Sequence, residues 1–275
     1  MTRNWTVPAP GVAAAQIDIE PRELGRNYPL EIGIAGDPLA VLEQLSALTP
    51  PVPRAAWLAR IADLRRHWQE IAAEVETSSA LPLRPERIAR ELSEALPQGA
   101  LLVVDTGHSA AWTCRHVYLD KAGQGVLRAA GSLGWSFPAA LGAKCAQPDR
   151  PVVCFTGDGG FMYHLAEMET ALRYGIATVT VVNNNAAFSQ ERFLWNDDPT
   201  LASNWSFSPV DFASTAEAFG CAAYRIESPG ELGRALSAAL EAKKPAVIEV
   251  LSDPMIMSPP SWAPSERGLA YGGAA

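Results

Sequence analysis

From residue 86 to residue 250 the chain alternates between short apolar runs and amphipathic stretches, which is typical of a parallel α/β sheet. The clearest runs are residues 151–155 and 178–182, which are apolar or β-branched. Each predicts a buried strand. Between them, apolar residues recur at helical spacing, so the pattern predicts one crossover helix. Its apolar positions are Leu165, Met168, Leu172 and Ile176.

Similar patterns occur on both sides of this central pair. Further strands are predicted at 101–105, 126–129, 222–226 and 246–250. Further helices are predicted near 86–96, 137–147, 210–219 and 229–243. Because helices and strands alternate, the predicted fold class is α/β, with a doubly wound and mostly parallel sheet.

The part of the chain before residue 84 has a weaker pattern that is interrupted by proline. Short strands are predicted at 16–19 and 30–35, and Asp37-Pro38 begins a helix that runs to about Leu48. A long amphipathic helix is predicted at 54–77. The predicted organisation is 1–50, then a linker and helix at 51–83, the sheet domain at 84–253, and a tail or lid at 254–275.

The composition permits a large core and excludes some partners. Of the 275 residues 48% are hydrophobic and 19% are charged, and the net charge is −8. The absence of a basic stripe argues against nucleic acid, and no apolar run is long enough for a membrane span. The cysteines lack metal-ligand spacing, and we expect Cys145 and Cys154 to be small core residues. A cytoplasmic location is therefore expected.

Polar side chains follow the two central strands where each is predicted to end. Asp158 follows the first strand and Asn185 the second, and the carboxyl ends of parallel strands meet at one edge of a sheet. Carboxylate, amide and backbone oxygens suit Mg²⁺ that also binds phosphate, so we expect Asp158, Asn185 and the Ala187 carbonyl as ligands. Three glycines let backbone N–H groups approach phosphate oxygens. They are Gly157, Gly159 and Gly160.

Gly157-Asp158-Gly159, followed 26 or 27 residues later by Asn184-Asn185, resembles the thiamine diphosphate motif of the acetolactate synthase-like enzymes. Either half alone is more often a turn or a loop. The resemblance implies that Asp158 and Asn185 hold the metal that anchors the diphosphate. It also implies a decarboxylation of a 2-oxo acid, with or without addition to a second carbonyl group.

Two further turns carry the same resemblance. The segment Gly107-His108-Ser109 lies where a strand gives way to a helix, and a helix N-terminus favours phosphate. The resemblance implies diphosphate contacts there, and we expect His108 to titrate near neutrality; the alternative is a structural histidine. In the segment 131–138 it implies that a carbonyl near Gly131 accepts the cofactor's amino group and that Leu133 supports the bent cofactor. The alternative is a tight turn with a core leucine.

The segment 186–208 lacks periodicity and follows the proposed metal site. Loops of this length are usually functional or disordered, so the prediction is a lid that faces the substrate. Its candidate residues are Gln190, Glu191, Arg192 and Trp195. Residues 254–275 could fold over the same opening, although a simple tail is the default.

Residues 1–50 resemble only the end of the middle domain of the same family. Two strands and one helix cannot bury a core of their own. The resemblance therefore implies a second subunit that carries most of the middle domain, the pyrimidine-binding domain and the glutamate that activates the cofactor. A truncated chain is the alternative. FAD binding is left undetermined, because the middle-domain surface that would hold it is mostly missing.

Other functions are open at this point. One is a subunit like those of sulfopyruvate or phosphonopyruvate decarboxylase, and another is a scaffold subunit without catalysis. The β subunit of a 2-oxoacid:ferredoxin oxidoreductase is disfavoured because its clustered cysteines are missing. A nucleotide-binding dehydrogenase is also disfavoured, since no G-x-G-x-x-G follows the first strand of the sheet domain.

Overall fold

The computed structural model describes residue 9, residues 11–194 and residues 198–258. The described chain divides into two compact units. The boundary falls between His67 and Trp68, inside the helix Ala55–Glu76. The sequence places domain boundaries at residues 50, 83 and 253, and these stay predictions. In the described residues no helix combines the length and the apolar character needed to span a membrane.

The first unit contains a two-stranded parallel sheet and a helix, in agreement with the predicted pattern. In chain order the elements are β1 (Ala15–Asp18), a 3-10 helix (Pro21–Glu23), β2 (Ile32–Ala35), α1 (Pro38–Leu48) and the start of α2 (Ala55–Glu76). Asp37 caps α1, because its carboxylate accepts the N–H of Ala40 at 3.0 Å. No residue of α1 is buried.

The second unit is built on a six-stranded sheet in which every strand pair is parallel. The strands are β3 (Leu101–Val104), β4 (Gly125–Arg128), β5 (Val152–Gly157), β6 (Val179–Asn184), β7 (Ala222–Ile226) and β8 (Ala246–Leu251). Their spatial order is β4-β3-β5-β6-β8-β7. The predicted parallel sheet is therefore confirmed, and each strand lies within about two residues of its predicted position.

Helices cover both faces of this sheet. They are α3 (Pro85–Ala95), α4 (His108–His116), α5 (Ser136–Ala146), α6 (Asp158–Met162), α7 (Glu167–Arg173), α8 (Ser189–Leu194), α9 (Phe212–Phe219) and α10 (Leu232–Glu241). On one face Leu92 and Leu236 pack against the strands with Phe155. On the other face Phe137 and Phe212 belong to a second buried cluster. Two apolar clusters on opposite faces confirm the doubly wound class.

The chain reverses its direction across the sheet between β3 and β5. From β3 it moves outward to β4 on one side, and from β5 it continues to β6 on the other. The segments that follow β3 and β5 therefore diverge and leave a crevice at the strand ends. Ligands bind in open α/β sheets at this kind of switch point.

The structure corrects three sequence-based predictions. The crossover between β5 and β6 consists of two short helices, α6 and α7, which are separated by a turn at residues 163–166. The segment 186–208 is not a structureless loop, since it contains α8 and a 3-10 helix at Pro199–Asn204. Cys154 is buried as expected, but Cys145 is exposed.

Candidate functional site

A cavity of about 280 Å³ lies at the carboxyl ends of β3, β5 and β6. It brings together every residue that the sequence predicts to touch a cofactor or metal, from four separate segments of the chain. They are Gly107, His108, Ser109, Gly131, Leu133, Gly157, Asp158, Gly159, Gly160, Asn185 and Ala187. The strand-end argument therefore places these residues around a single site.

The Asp158 carboxylate is 2% exposed and is held in place by backbone N–H groups. Its Oδ1 accepts the N–H of Gly159 at 2.7 Å, and its Oδ2 accepts the N–H of Asn185 at 2.8 Å. Burial raises the pKa of this carboxyl to about 6, although the surrounding N–H groups oppose the shift. A carboxylate that is costly to ionise in a buried site is well suited to a cation, which restores the missing counter-charge.

The turn after β6 orients Asn185 relative to Asp158. The Asn185 side chain donates from Nδ2 to Ser189 Oγ at 2.8 Å. Because this bond uses the nitrogen of the amide, Oδ1 is the atom that can bind a ligand. Asn184 points elsewhere: it donates to Glu249 Oε1 at 2.6 Å and to the Val210 carbonyl at 2.9 Å. Its Oδ1 accepts the N–H of Ala186 at 3.2 Å, and Ala186 has a left-handed φ of 54°. A non-glycine residue in that region is strained, and such strain is concentrated at functional turns.

The first turn of α4 forms another wall of the cavity. Gly107 precedes the helix with a φ of 74°, so glycine is favoured there, and the Gln190 side chain lies over it. His108 begins the helix, and burial lowers its pKa to about 4. The expectation that His108 titrates near neutrality is therefore wrong, because the buried imidazole is neutral above that pH. A neutral imidazole still has one N–H to donate.

Asp105 fixes the glycine-rich turn that carries Gly131 and Leu133. This carboxylate is fully buried at the end of β3. It accepts the N–H of Gly134 at 3.0 Å and the hydroxyl of Ser136 at 2.6 Å. It also accepts the hydroxyl of Thr156 on β5 at 3.4 Å. A single side chain therefore ties together β3, β5 and the turn, and Leu133 lies at the cavity with 37% of its surface exposed.

Close packing explains the glycines beside Asp158. A Cβ on Gly159 would overlap the ring of Phe188, which lines the same cavity. A Cβ on Gly160 would lie 3.0 Å from Thr156 Oγ1 and 3.3 Å from the Asp105 carboxyl group. Both positions therefore require glycine for steric reasons as well as for access to a ligand.

The predicted substrate residues are placed differently from one another. Gln190 and Glu191 line the cavity. Arg192 is buried and donates from Nη1 to the Pro254 carbonyl at 2.7 Å, so this bond joins α8 to the segment after β8. Trp195 lies outside the described residues, as does most of the predicted tail or lid at 254–275.

Sequence reasoning assigned no role to four other residues at the site. Asp105 positions the turn, Phe188 covers Gly159, Ser189 orients Asn185, and Asn183 lines the cavity. A signal was present for Asp105 and Asn183, since each is a polar residue at the end of an apolar strand. No sequence pattern marks Phe188 or Ser189, because their contacts depend on how the turn after β6 folds.

The fold and the cavity define an α/β domain with a phosphate- and cation-compatible site at its switch point. The family model described as "Thiamine pyrophosphate enzyme, C-terminal TPP binding domain" matches residues 105–250, a little over half of the chain. The chain belongs to this family. The match extends from Asp105 to Val250, the penultimate residue of β8, and contains every residue of the predicted site.

Curated proteins with similar sequences include several acetolactate synthase large subunits. The chain is 29% identical over 265 residues to the "Probable acetolactate synthase large subunit" of Methanococcus aeolicus, covering 89% of this chain and 44% of that protein. It is 30% identical over 257 residues to the acetolactate synthase large subunit of Haemophilus influenzae, covering 90% and 44% respectively. For the isozyme 1 large subunit of Escherichia coli the identity is 28% over 267 residues, with 94% and 46% covered. The chain thus spans less than half the length of these relatives.

Proposed function

We propose that this chain is the diphosphate-binding subunit of a thiamine diphosphate- and Mg²⁺-dependent enzyme that acts on a 2-oxo acid. The reaction is decarboxylation, with or without addition to a second carbonyl group, as in acetolactate synthases. The observation that carries this proposal is the direct link between two strand ends: Asp158 Oδ2 accepts the Asn185 N–H at 2.8 Å beside one cavity.

The metal ligands in this proposal are Asp158, the amide oxygen of Asn185 and the carbonyl of Ala187. In the described residues no group of three His, Cys, Asp or Glu side chains could hold a metal by itself. Mg²⁺ sites fit this sparse donor set, because the ion usually takes one or two carboxylates and completes its shell with phosphate and water. Burial raises the pKa of the Asp158 carboxyl to about 6, and a bound cation would stabilise its ionised form.

The phosphate groups in this proposal lie at the first turn of α4. Backbone N–H groups at a helix start attract anions, and His108 and Ser109 stand at that position. A carbonyl near Gly131 would accept a hydrogen bond from the amino group of the pyrimidine ring, and Leu133 would support the cofactor, since both residues line the cavity. When bound, thiamine diphosphate stabilises the carbanion that remains after a 2-oxo acid loses carbon dioxide.

Gln190 and Glu191 are the proposed substrate-facing residues, because both line the cavity from α8. The Arg192 guanidinium has a different task in this proposal. Its bond to the Pro254 carbonyl anchors one side of α8, which keeps the two preceding side chains directed at the cavity.

A second subunit completes the active site in this proposal. It supplies the pyrimidine-binding domain, with the glutamate that activates the cofactor, and most of the middle domain. The first unit supports this because α1 presents apolar side chains to solvent: Leu39 is 66% exposed and Leu48 is 81% exposed. Apolar surface that a fold leaves uncovered marks an interaction site.

Calorimetric titration of the full chain with thiamine diphosphate, with and without Mg²⁺, tests the proposal. We expect binding that depends on Mg²⁺ and disappears with a chelator. Release of carbon dioxide from a panel of 2-oxo acids, with the co-purifying partner present, then tests the reaction. A chain that takes up no cofactor, alone or with its partner, would instead be a scaffold subunit.

A further inference from the structure

Asn183 contributes a buried amide to the cavity, and this amide has no part in the metal and phosphate contacts of the proposed function. The residue is 5% exposed and lines the cavity next to Asp158 and Gly157. Its Oδ1 is fully buried and has no hydrogen-bond partner within the described part of the chain. Buried polar atoms in native proteins are nearly always bonded, so an exception requires an explanation.

The register of the sheet places this amide beneath the proposed phosphate site. Asn183 on β6 pairs with Gly157 on β5, and paired residues of parallel strands present their side chains to the same face. Gly157 has no side chain, and a Cβ there would lie 3.5 Å from Ser109 Oγ in the first turn of α4. Asn183 therefore lies beside a position that has no side chain, and Asn183, Gly157 and Ser109 line the same cavity.

Asn184, the next residue of β6, is a structural asparagine whose polar atoms are bonded to the protein. Asn184 donates to Glu249 and to the Val210 carbonyl, and accepts the N–H of Ala186. Both of its polar atoms are bonded to the protein, whereas Asn183 Oδ1 is not. Leaving a buried polar atom unbonded destabilises the folded state. An apolar residue at position 183 would remove this unbonded atom, and the neighbouring Val181 and Val182 are already apolar and buried.

The chemistry of the expected ligand matches this amide. Diphosphate oxygens only accept hydrogen bonds, but Mg²⁺ keeps several bound waters, and these are donors. An amide is a neutral side chain that offers an acceptor and a donor together. We propose that Asn183 is a further contact for the magnesium diphosphate group, with Oδ1 accepting from a magnesium-bound water and Nδ2 donating to a phosphate oxygen.

This inference rests on the proposed function, and one pair of substitutions tests it. Asn183→Leu removes the unbonded amide, so the melting temperature of the ligand-free protein rises by a few degrees. The dissociation constant for thiamine diphosphate at fixed Mg²⁺ rises about 10-fold. Asn184→Leu is the matched control, because it breaks bonds that are already made. It lowers the melting temperature of the empty chain. Asn183→Val repeats the test with a smaller side chain that suits a strand.

The possible results separate the inference from the function on which it rests. If the wild-type chain shows no Mg²⁺-dependent binding, the proposed function fails and the inference fails with it. If the wild type binds and both substitutions at position 183 bind equally tightly, only the inference is overturned. It is also overturned if they destabilise the empty chain as Asn184→Leu does, since the amide would then be structural.

Discussion

The two units of the chain differ in how much of their apolar surface they bury. In the second unit Leu92, Phe155 and Phe161 are fully buried around a six-stranded sheet. In the first unit α1 has no buried residue, and within its described residues the sheet consists of the two strands β1 and β2. A two-stranded sheet is marginal by itself, whereas three or more strands with a covered face can be independently stable.

This contrast separates the unit that holds the candidate site from the unit in which we propose a contact with a partner. The second unit uses its closed core to fix Asp158, Asn185 and the first turn of α4 around one cavity. The first unit exposes apolar side chains, and none of its described residues lines this cavity. Changes in the second unit should therefore affect the ligand, and changes in the first should affect assembly.

Asp158→Ala gives the largest expected effect. Without the carboxylate the proposed Mg²⁺ site loses its only charged protein ligand, so thiamine diphosphate binding falls at least 100-fold and activity is lost. The fold persists because backbone bonds hold β5 to β6. Calorimetry at about pH 7.5, where a group with a pKa of about 6 is ionised, measures the loss. Asp149→Ala, at an exposed position, is the control; full turnover by Asp158→Ala would show that the metal assignment is wrong.

Asp105→Asn tests how the second unit supports its site. Five donors point at this buried carboxylate, and an amide replaces one acceptor oxygen with a further donor. We expect a loss of about 3 kcal/mol in the free energy of unfolding, measured by chemical denaturation. Asp149→Asn again serves as the exposed control. Unchanged stability would mean that the turn at 131–136 does not depend on Asp105.

Leu42→Lys combined with Leu45→Lys tests the first unit. These residues of α1 are 53% and 43% exposed in the single chain. If a partner buries them, the double substitution weakens association by roughly 10- to 100-fold, since each half-exposed leucine gains about half of the roughly 1.5–3 kcal/mol that complete burial of a leucine contributes. Gln44→Lys on the same helix is the control for added charge. Co-purification and native mass measure the outcome, and unchanged association would remove α1 from the interface.

Local sequence patterns were sufficient for most of the sheet and for the position of the site. The positions of the strands and their parallel direction follow from apolar runs and the helices between them, whereas the strand order came only from the structure. Polar residues at strand ends mark the rim, as Asp158 and Asn185 show. The failures depend on distant packing. The break between α6 and α7, the helix α8 and the burial of Arg192 against the Pro254 carbonyl involve contacts that no local pattern encodes. The unbonded amide of Asn183 is visible only once its neighbours are in place.

His108→Gln has the smallest expected effect and reports on the electrostatics of the rim. Burial lowers the pKa of His108 from 6.5 to about 4 in the folded chain. Between these values the unfolded chain binds more protons than the folded one, so stability falls as the pH is lowered through this window. His108→Gln removes this contribution. The wild type should therefore lose stability relative to the variant between about pH 6.5 and 4.

Comparison of the wild type with His108→Gln separates the effect of His108 on the pH dependence of stability from the opposite effect of Asp158. The pKa of Asp158 is raised from 3.8 to about 6, so its contribution to stability increases as the pH falls through that range. Both proteins contain Asp158, and its effect cancels in the difference between their melting temperatures. A bound diphosphate near His108 would favour the protonated imidazole and raise its pKa, so thiamine diphosphate with Mg²⁺ should reduce the difference. A difference in melting temperature that stays constant from pH 7 to pH 4 would show that burial does not lower the pKa of His108. A pH-dependent difference that the ligand leaves unchanged would exclude a contact between the protonated imidazole and phosphate.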